Sequence, residues 1–397
     1  MVRSSIVVDE VDVVDVDVNV NYDVDVVCLG ESMVTFLPSR PGRLADVPSF
    51  ERGIGGAESN VACALAAAGH RARWVSRVGA DGFGDHLVET VAAYGVDTSA
   101  VQRDPHRPTG IYFRTAIDRD ADGFEVVYYR TGSAASAMSP RNMPLDRLTS
   151  GRVLHLSGIT AALSADCLSL VRSLVAPRRP GRPLISFDVN YRANLWPENA
   201  DAHLLLDLAR AADLVFVGED EAQTAWGLRG PAEIRAALPE PDVLVVKQGA
   251  TGATVYGGDS ESGGNGGSGE SGGNGGSGES GGNGGSGESG EYGGNGAGSG
   301  APTTVPGLRV DVVAPVGAGD AFAAGFLSAT LRGLPVRDRI RHGHLMAAAA
   351  LTVPGDLGTP PARAHADRLA ALDETAWGRL RLGPGWTGAA DQEVRTP

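Results

Sequence analysis

The sequence predicts an α/β fold, a mostly parallel sheet covered by helices on both faces, and three observations point to it. The apolar runs "VVCLG", "VLHLSG", "LISFDV", "LVFVG" and "VLVVKQG" are continuous, as strands buried on both faces are. Helical segments separate most of them, the rhythm of βαβ units. Polar and glycine residues gather where these strands end, at Gly30, Ser157 and residues 188–192, 219–221 and 247–249. Ligands of open sheets bind at that edge.

Taken in order, "DVVCLGES" reads as a buried strand leaving at Gly30, and "AESNVACALAAAGH" as a small-residue helix ended near Gly69. "RARWVSRVG" is a strand and "GFGDHLVETVAAYG" a helix. "TGIYFRTAI" and "GFEVVYYRTG" alternate differently and read as paired antiparallel strands of a small β lid, with lid elements near 32–54 and 108–131. "RVLHLSG" and "PLISFDVN" are strands, "HLLLDLARAA" a helix, and "DLVFVGED" and "VLVVKQG" strands. Pro315 ends the strand before "VGAGD", and a helix runs from there to about Gly333 and Pro335.

Two segments fall outside this pattern. Residues 1–23 alternate Val with Asp or Asn, and a face of aspartates repels itself, so an acidic low-complexity tail is expected. Residues 257–300 repeat "GESGGNGGS" with a nine-residue period. Glycine, serine and asparagine bury too little to offset the entropy of ordering, so a disordered insertion between strand-like flanks is expected. The remainder, 24–397, reads as one domain. The 397 residues carry a formal charge of −14, which argues against a nucleic-acid surface. No apolar run approaches a membrane span. Cys28, Cys63 and Cys167 are scattered, as buried thiols of a cytoplasmic protein are.

In "APVGAGDAFAAGF" the N–H groups of Gly317, Ala318, Gly319 and Asp320 emerge from a helix end without intrahelical partners. With the helix dipole they form an anion cradle. Asp320 beside it is placed to accept a proton from a hydroxyl; the alternative is an ordinary helix cap with packing glycines. "GIGGAESNVACALAAAG" repeats the device of paired glycines before a helix.

Together with "RVGADGFGDHL", these stretches resemble the two signatures of the ribokinase-like (PfkB) sugar kinases over roughly residues 24–375, excluding the insertion. The signatures are Gly-Gly then Asn60-x-Ala62 with Gly79-x-Asp81-x-x-Gly84, and Gly-Ala-Gly-Asp at 317–320. The resemblance implies a ribokinase-like three-layer α/β/α sandwich with a β lid. Within the family the chain looks closest to 2-keto-3-deoxygluconate kinases, through "GGAES", "GIYFR", "YYRTGSAASAMSP", "LHLSGIT", "DVNYRANLW" and "PVGAGDAFAAGF". It implies ATP and Mg²⁺ as cofactors, Asp320 as base and residues 317–319 as anion hole. Gly55, Gly56, Ala57, Glu58, Ser59, Tyr112, Arg114, Arg192, Asp320 and Asp356 would meet the sugar acid. Asn190, Arg192, Lys247, Gln248, Gly249, Ala250, Thr251, Gly252 and the 317–319 loop would meet ATP. Glu221 would act on the metal through water; Gly218 replaces the Asn of that family element.

Ala314 stands where many members carry the Asp of a monovalent-cation site, which withdraws support for potassium dependence. Family lid strands often pair between subunits, so a homo-oligomer is also implied.

Guanidinium forks bind carboxylates bidentately, so Arg114 and Arg192 favour an acidic sugar over the neutral substrate of a fructokinase or ribokinase. Either arginine could instead meet an ATP phosphate or Asp188, and Tyr112 could simply pack its ring. A non-catalytic sugar-binding protein of the same fold would be expected to have lost Asp320 or a glycine of the hole.

Overall fold

The computed structural model describes residues 22–40, 42–115, 126–176, 181–196, 203–258 and 301–388. The tail at 1–21 and residues 259–300 of the repeat lie outside the described residues.

The chain opens with strand β1 (Val24–Leu29), then β2 (Met33–Pro38) and β3 (Phe50–Gly55), helix α1 (Ala57–Ala67), and strands β4 (Ala72–Val75) and β5 (Arg77–Gly79). Helix α2 (Gly82–Ala93) leads to β6 (Gln102–Asp104), β7 (Ile111–Arg114) and β8 (Val126–Tyr129). After α3 (Leu145–Leu148) come β9 (Gly151–Ser157), α4 (Gly158–Ala162), α5 (Ala165–Val175), β10 (Leu184–Asp188), α6 (His203–Arg210) and β11 (Leu214–Gly218). Next are α7 (Glu219–Trp226), α8 (Gly230–Ala237), β12 (Val243–Lys247), β13 (Gly252–Gly257), β14 (Thr303–Pro306) and β15 (Arg309–Val310). Helices α9 (Ala318–Leu331), α10 (Val336–Leu351), α11 (Arg363–Ala370) and α12 (Glu374–Arg379) precede β16 (Arg381–Leu382).

Eight strands form the main sheet in the order β14-β13-β12-β11-β10-β9-β1-β4. β12 through β4 pair in parallel, and β13 and β14 add an antiparallel edge. Alternate residues of each strand point to opposite faces. Val26, Cys28, Phe216 and Val245 pack with α1, α2, α9 and α10 in one core. Val27, Leu29, Val215, Val217, Leu244 and Val246 pack with α5, α6 and α8 in the other. The three-layer α/β/α architecture is therefore present, and all three cysteines are buried free thiols. Among the described residues, no helix is long and apolar enough to cross a membrane.

The contact between α9 and α10 depends on Gly325. A Cβ there would lie 2.4 Å from the His342 carbonyl oxygen, so only glycine lets the two backbones approach. Phe322, Phe326 and Leu327 are buried alongside, each contributing about 1.5–3 kcal/mol through removal from water.

The second sheet has the order β3-β2-β7-β8. β7 and β8 pair antiparallel as expected, while β2 joins β7 in parallel. Two strand expectations need correction. "RARWVSRVG" is two strands: β4 ends the main sheet and β5 pairs with β6. The strand-like flank that follows the insertion, "TTVPGLRVDVV", breaks at Pro306, which has no N–H to continue the ladder, and its second half ends at Val310, well before Pro315. Elsewhere, His342 meets Asp367 at 3.2 Å and His344 meets the Val305 carbonyl at 3.3 Å, so the two do not converge. Trp196 and Trp226 pack partly buried against the second core.

Candidate active site

The parallel strands end on one side of the sheet, and the loops leaving them meet the N-termini of α1 and α9 and one face of the small sheet. They enclose a cavity of about 300 Å³, the low end of small-molecule sites.

The N-terminus of α9 is built by its glycines. Gly317, the N-cap, has φ +70°, and a Cβ on it would lie 2.1 Å from the Asp356 carbonyl oxygen. Only glycine accommodates both. Among the described residues the N–H groups of Gly317, Ala318, Gly319 and Asp320 have no acceptor. Asp320 follows in the first turn, half-buried in the cavity wall, and receives Asn60 Nδ2 on Oδ2 at 2.9 Å. Burial pushes its carboxyl up to about 7, and Asp188 adds to the rise, while the Asn60 amide, Lys247 and Arg192 oppose it. A carboxylate poised near neutrality suits a general base.

Lys247, at the end of β12, donates to both oxygens of Asp188 at 2.8 and 3.1 Å. Burial alone would lower its ammonium, but Asp188 and Glu221 outweigh that and hold it above the usual lysine value. Asp188 is 2% exposed at the end of β10, so each ion compensates the other. Asn190, two residues on, has φ +39° and donates its N–H to Asp188 Oδ1 at 3.1 Å.

The rest of the cavity lining is cationic and aromatic. Arg114 Nη1 lies 3.2 Å from Asp356 Oδ1, and its Nη2 donates to the Pro354 carbonyl at 3.0 Å. Tyr112 donates its hydroxyl to Asp356 Oδ2 at 3.1 Å. Burial raises the Asp356 carboxyl, against the pull of Arg114 and Tyr112. Arg130 pairs with the buried Glu31, which also accepts from Ser133 at 2.5 Å. Arg192 is the most open of the three, with 48% of its side chain exposed and Glu221 Oε1 at 3.4 Å. Gly55 and Gly56 form the floor between the walls; a Cβ on Gly55 would lie 2.2 Å from the Tyr112 hydroxyl.

The cavity thus brings together Gly55, Gly56, Ala57, Tyr112, Arg114, Asn190, Arg192, Glu221, Lys247, Gly317, Ala318, Gly319, Asp320 and Asp356 as expected from the sequence. Others do not join it. Glu58 is fully buried and turned into the core, where Oε1 accepts from Ser157 and Thr160 at 2.7 Å each. Its burial raises the carboxyl. Ser59 donates to the Gly56 carbonyl at 3.0 Å and shares a hydrogen bond with the Ser32 hydroxyl at 2.9 Å. The expected sugar contacts of Glu58 and Ser59 are corrected accordingly: the helical turn from Ala57 carries both side chains away. Gln248 bonds Glu219 and Thr254 outside the cavity, Gly249, Ala250 and Thr251 form an exposed turn, and Gly252 is packed against Val305 and Pro306.

Glu221 sits in the first turn of α7, where Oε2 accepts the Gly218 N–H at 3.1 Å, one half of a capping box that glycine cannot complete. The Gly79–Gly84 signature is architectural: Asp81 caps α2 and accepts from the N–H and hydroxyl of Thr109.

Sequence reasoning missed Glu31, Arg130 and the bond from Asn60. The alternation in β8 was the available signal for Arg130, since Tyr128 pairs with Tyr112 and residue 130 shares its face. Glu31 left no local signal, and Asn60 stood in the signature without its partner; the partners are 99 and 260 residues distant.

The model of the pfkB family carbohydrate kinase matches residues 23–266 and 287–363. A 2-dehydro-3-deoxygluconokinase of Bacillus subtilis (strain 168) is 34% identical over 344 residues, 85% of this chain and 93% of the relative. One of Thermoproteus tenax is 32% identical over 352 residues, 87% and 94% of the two chains. The crystal structure of a PfkB protein from Polaromonas sp. JS666 superposes with a TM-score of 0.67 at 32% identity, covering 87% of this chain and 99% of that one.

Proposed function

The chain belongs to the pfkB family of carbohydrate kinases, and from that premise we propose that it phosphorylates the terminal hydroxyl of 2-keto-3-deoxygluconate with MgATP as donor. The observation that carries the reading is one cavity that holds Asp320, its carboxyl raised to about 7, beside open helix-end amides and that is also lined by arginines. The names of the two relatives, both 2-dehydro-3-deoxygluconokinases, supply the substrate class. A carboxylated sugar suits this wall best at Arg192, which is 48% exposed and only loosely held by Glu221 at 3.4 Å; Arg114 and Arg130, already paired with Asp356 and Glu31, would add positive potential and share their guanidiniums with the acid group.

In this mechanism the arginines orient the acid, and the Gly55–Gly56 floor admits the sugar backbone. Asp320 takes the proton of the terminal hydroxyl as that oxygen forms its bond to the γ-phosphorus and the bond to the ADP leaving group breaks. The amides of residues 317–319 receive the charge on the transferring group, and Lys247 adds positive potential beside them. The exposed turn at 249–251 serves the nucleotide side. Glu221 would hold a magnesium ion through water, with Asp188, whose carboxylate Lys247 already engages, adding negative potential beside it. When bound, that ion neutralises phosphate charge. Closure of the small sheet over the sugar would exclude water.

An ADP-release assay across 2-keto-3-deoxygluconate, fructose, ribose and adenosine tests the assignment. The keto-deoxy acid is expected to give the highest kcat/KM; a higher value for any neutral substrate overturns it.

A further inference from the structure

We infer that Asn60 is a positioning residue for Asp320, its side-chain amide holding the carboxylate in the orientation from which it accepts the proton. The inference rests on the reading of Asp320 as base.

Asn60 lies in α1, 3% exposed, with Val61, Ala62 and Ala64 around it in the same helix. Its backbone N–H already serves the Gly56 carbonyl at 2.8 Å, so the helix does not need its side chain. A buried amide costs free energy unless it is bonded. Here Oδ1 has no partner among the described residues, while Nδ2 donates to Asp320 Oδ2 at 2.9 Å. An ionised carboxylate only accepts, so this donor favours the ionised, proton-accepting form and fixes which oxygen stays free. Solvent is a poor substitute. The space behind the pair, lined by Asn60, Ala64, Gly317, Ala321 and Asp356, is about 10 Å³, the threshold for one water.

The charged groups facing Asp320 are Asp188 from the end of β10, Lys247 from the end of β12 and Arg192 from the loop after β10, with Glu221 and Asp356 in the same cavity. A substitution at residue 60 changes none of them. Asn60→Leu keeps the number and branching of side-chain heavy atoms and removes the donor, so the midpoint of the kcat–pH profile moves upward. A rise from about 7 to about 8 lowers the ionised fraction at pH 7 about fivefold, and kcat at pH 9 returns to within about twofold of wild type. Asn60→Asp, which keeps the shape should the leucine variant fail to fold, also moves the midpoint upward. KM for ATP stays within about twofold and the loss falls on kcat, since the side-chain bond Asn60 makes among the described residues is to Asp320.

The profiles are measured on the full chain, with Asp320→Asn alongside. If the wild-type midpoint depends on Asp320 and neither Asn60 variant moves it, the positioning role is overturned and the base remains. If Asp320→Asn retains kcat, the base reading itself has failed.

Discussion

Replacing Asp320 with asparagine separates the chemistry of its carboxyl from its effect on the fold. The unfolded chain ionises this group near 3.8, the folded chain near 7. Between those values the folded state holds a proton that the unfolded state releases, so rising pH favours unfolding; above about 7 the penalty is complete. At about 1.4 kcal/mol per tenfold change, the interval amounts to about 4 kcal/mol. Asparagine keeps the shape and still accepts from Asn60 Nδ2, yet never ionises. Urea unfolding at pH 4 should therefore find the two proteins within about 1 kcal/mol, and at pH 8 the variant more stable by up to about 4 kcal/mol. In the coupled ADP assay the same variant should lose at least about 10²–10⁴-fold in kcat. Wild-type turnover should climb with pH through about 7 and then level. A stability difference that does not grow between pH 4 and pH 8 would refute the claim that burial holds this carboxyl high.

Other outcomes follow from the same geometry. Gly317→Ala places a Cβ against the Asp356 carbonyl at a φ of +70° and should lower kcat by about 10²-fold or more, the loss expected when anion-hole donors are displaced; steady-state kinetics read it. Arg130→Leu leaves Glu31, 1% exposed in its side chain, without its cation, and should destabilise by about 3–5 kcal/mol in urea unfolding. Gly325→Ala should cost about 1–3 kcal/mol through the α9–α10 contact, with a lower Tm. Because Val255 and Thr303 are partners in the ladder, replacing residues 259–300 with a short turn should leave kcat/KM within about twofold.

The layers of the fold were legible because strands buried on both faces write themselves as unbroken apolar runs. So was the α9 N-terminus, since Gly317, Ala318, Gly319 and Asp320 are contiguous and their geometry is local. The breaks at Ser76 and Pro306 were harder: a strand that leaves one sheet for another keeps its composition. Least legible were partners across the chain. Glu58 sits among glycines that do meet the cavity, but one helical step turns its carboxyl toward Ser157 and Thr160. Arg114 was expected to be free for a ligand, and it already holds Asp356, a pairing set by packing of β7 against the loop after α10.

Asp356 ties two ends of the pocket together. Its carboxylate grips Arg114 and Tyr112, and its carbonyl rests against Gly317 at the head of α9. A guest that claims Arg114 for its own acid group loosens that grip, and the jolt arrives one peptide away, at the amides. Mismatched sugars would then be turned away by slow transfer more than by weak capture.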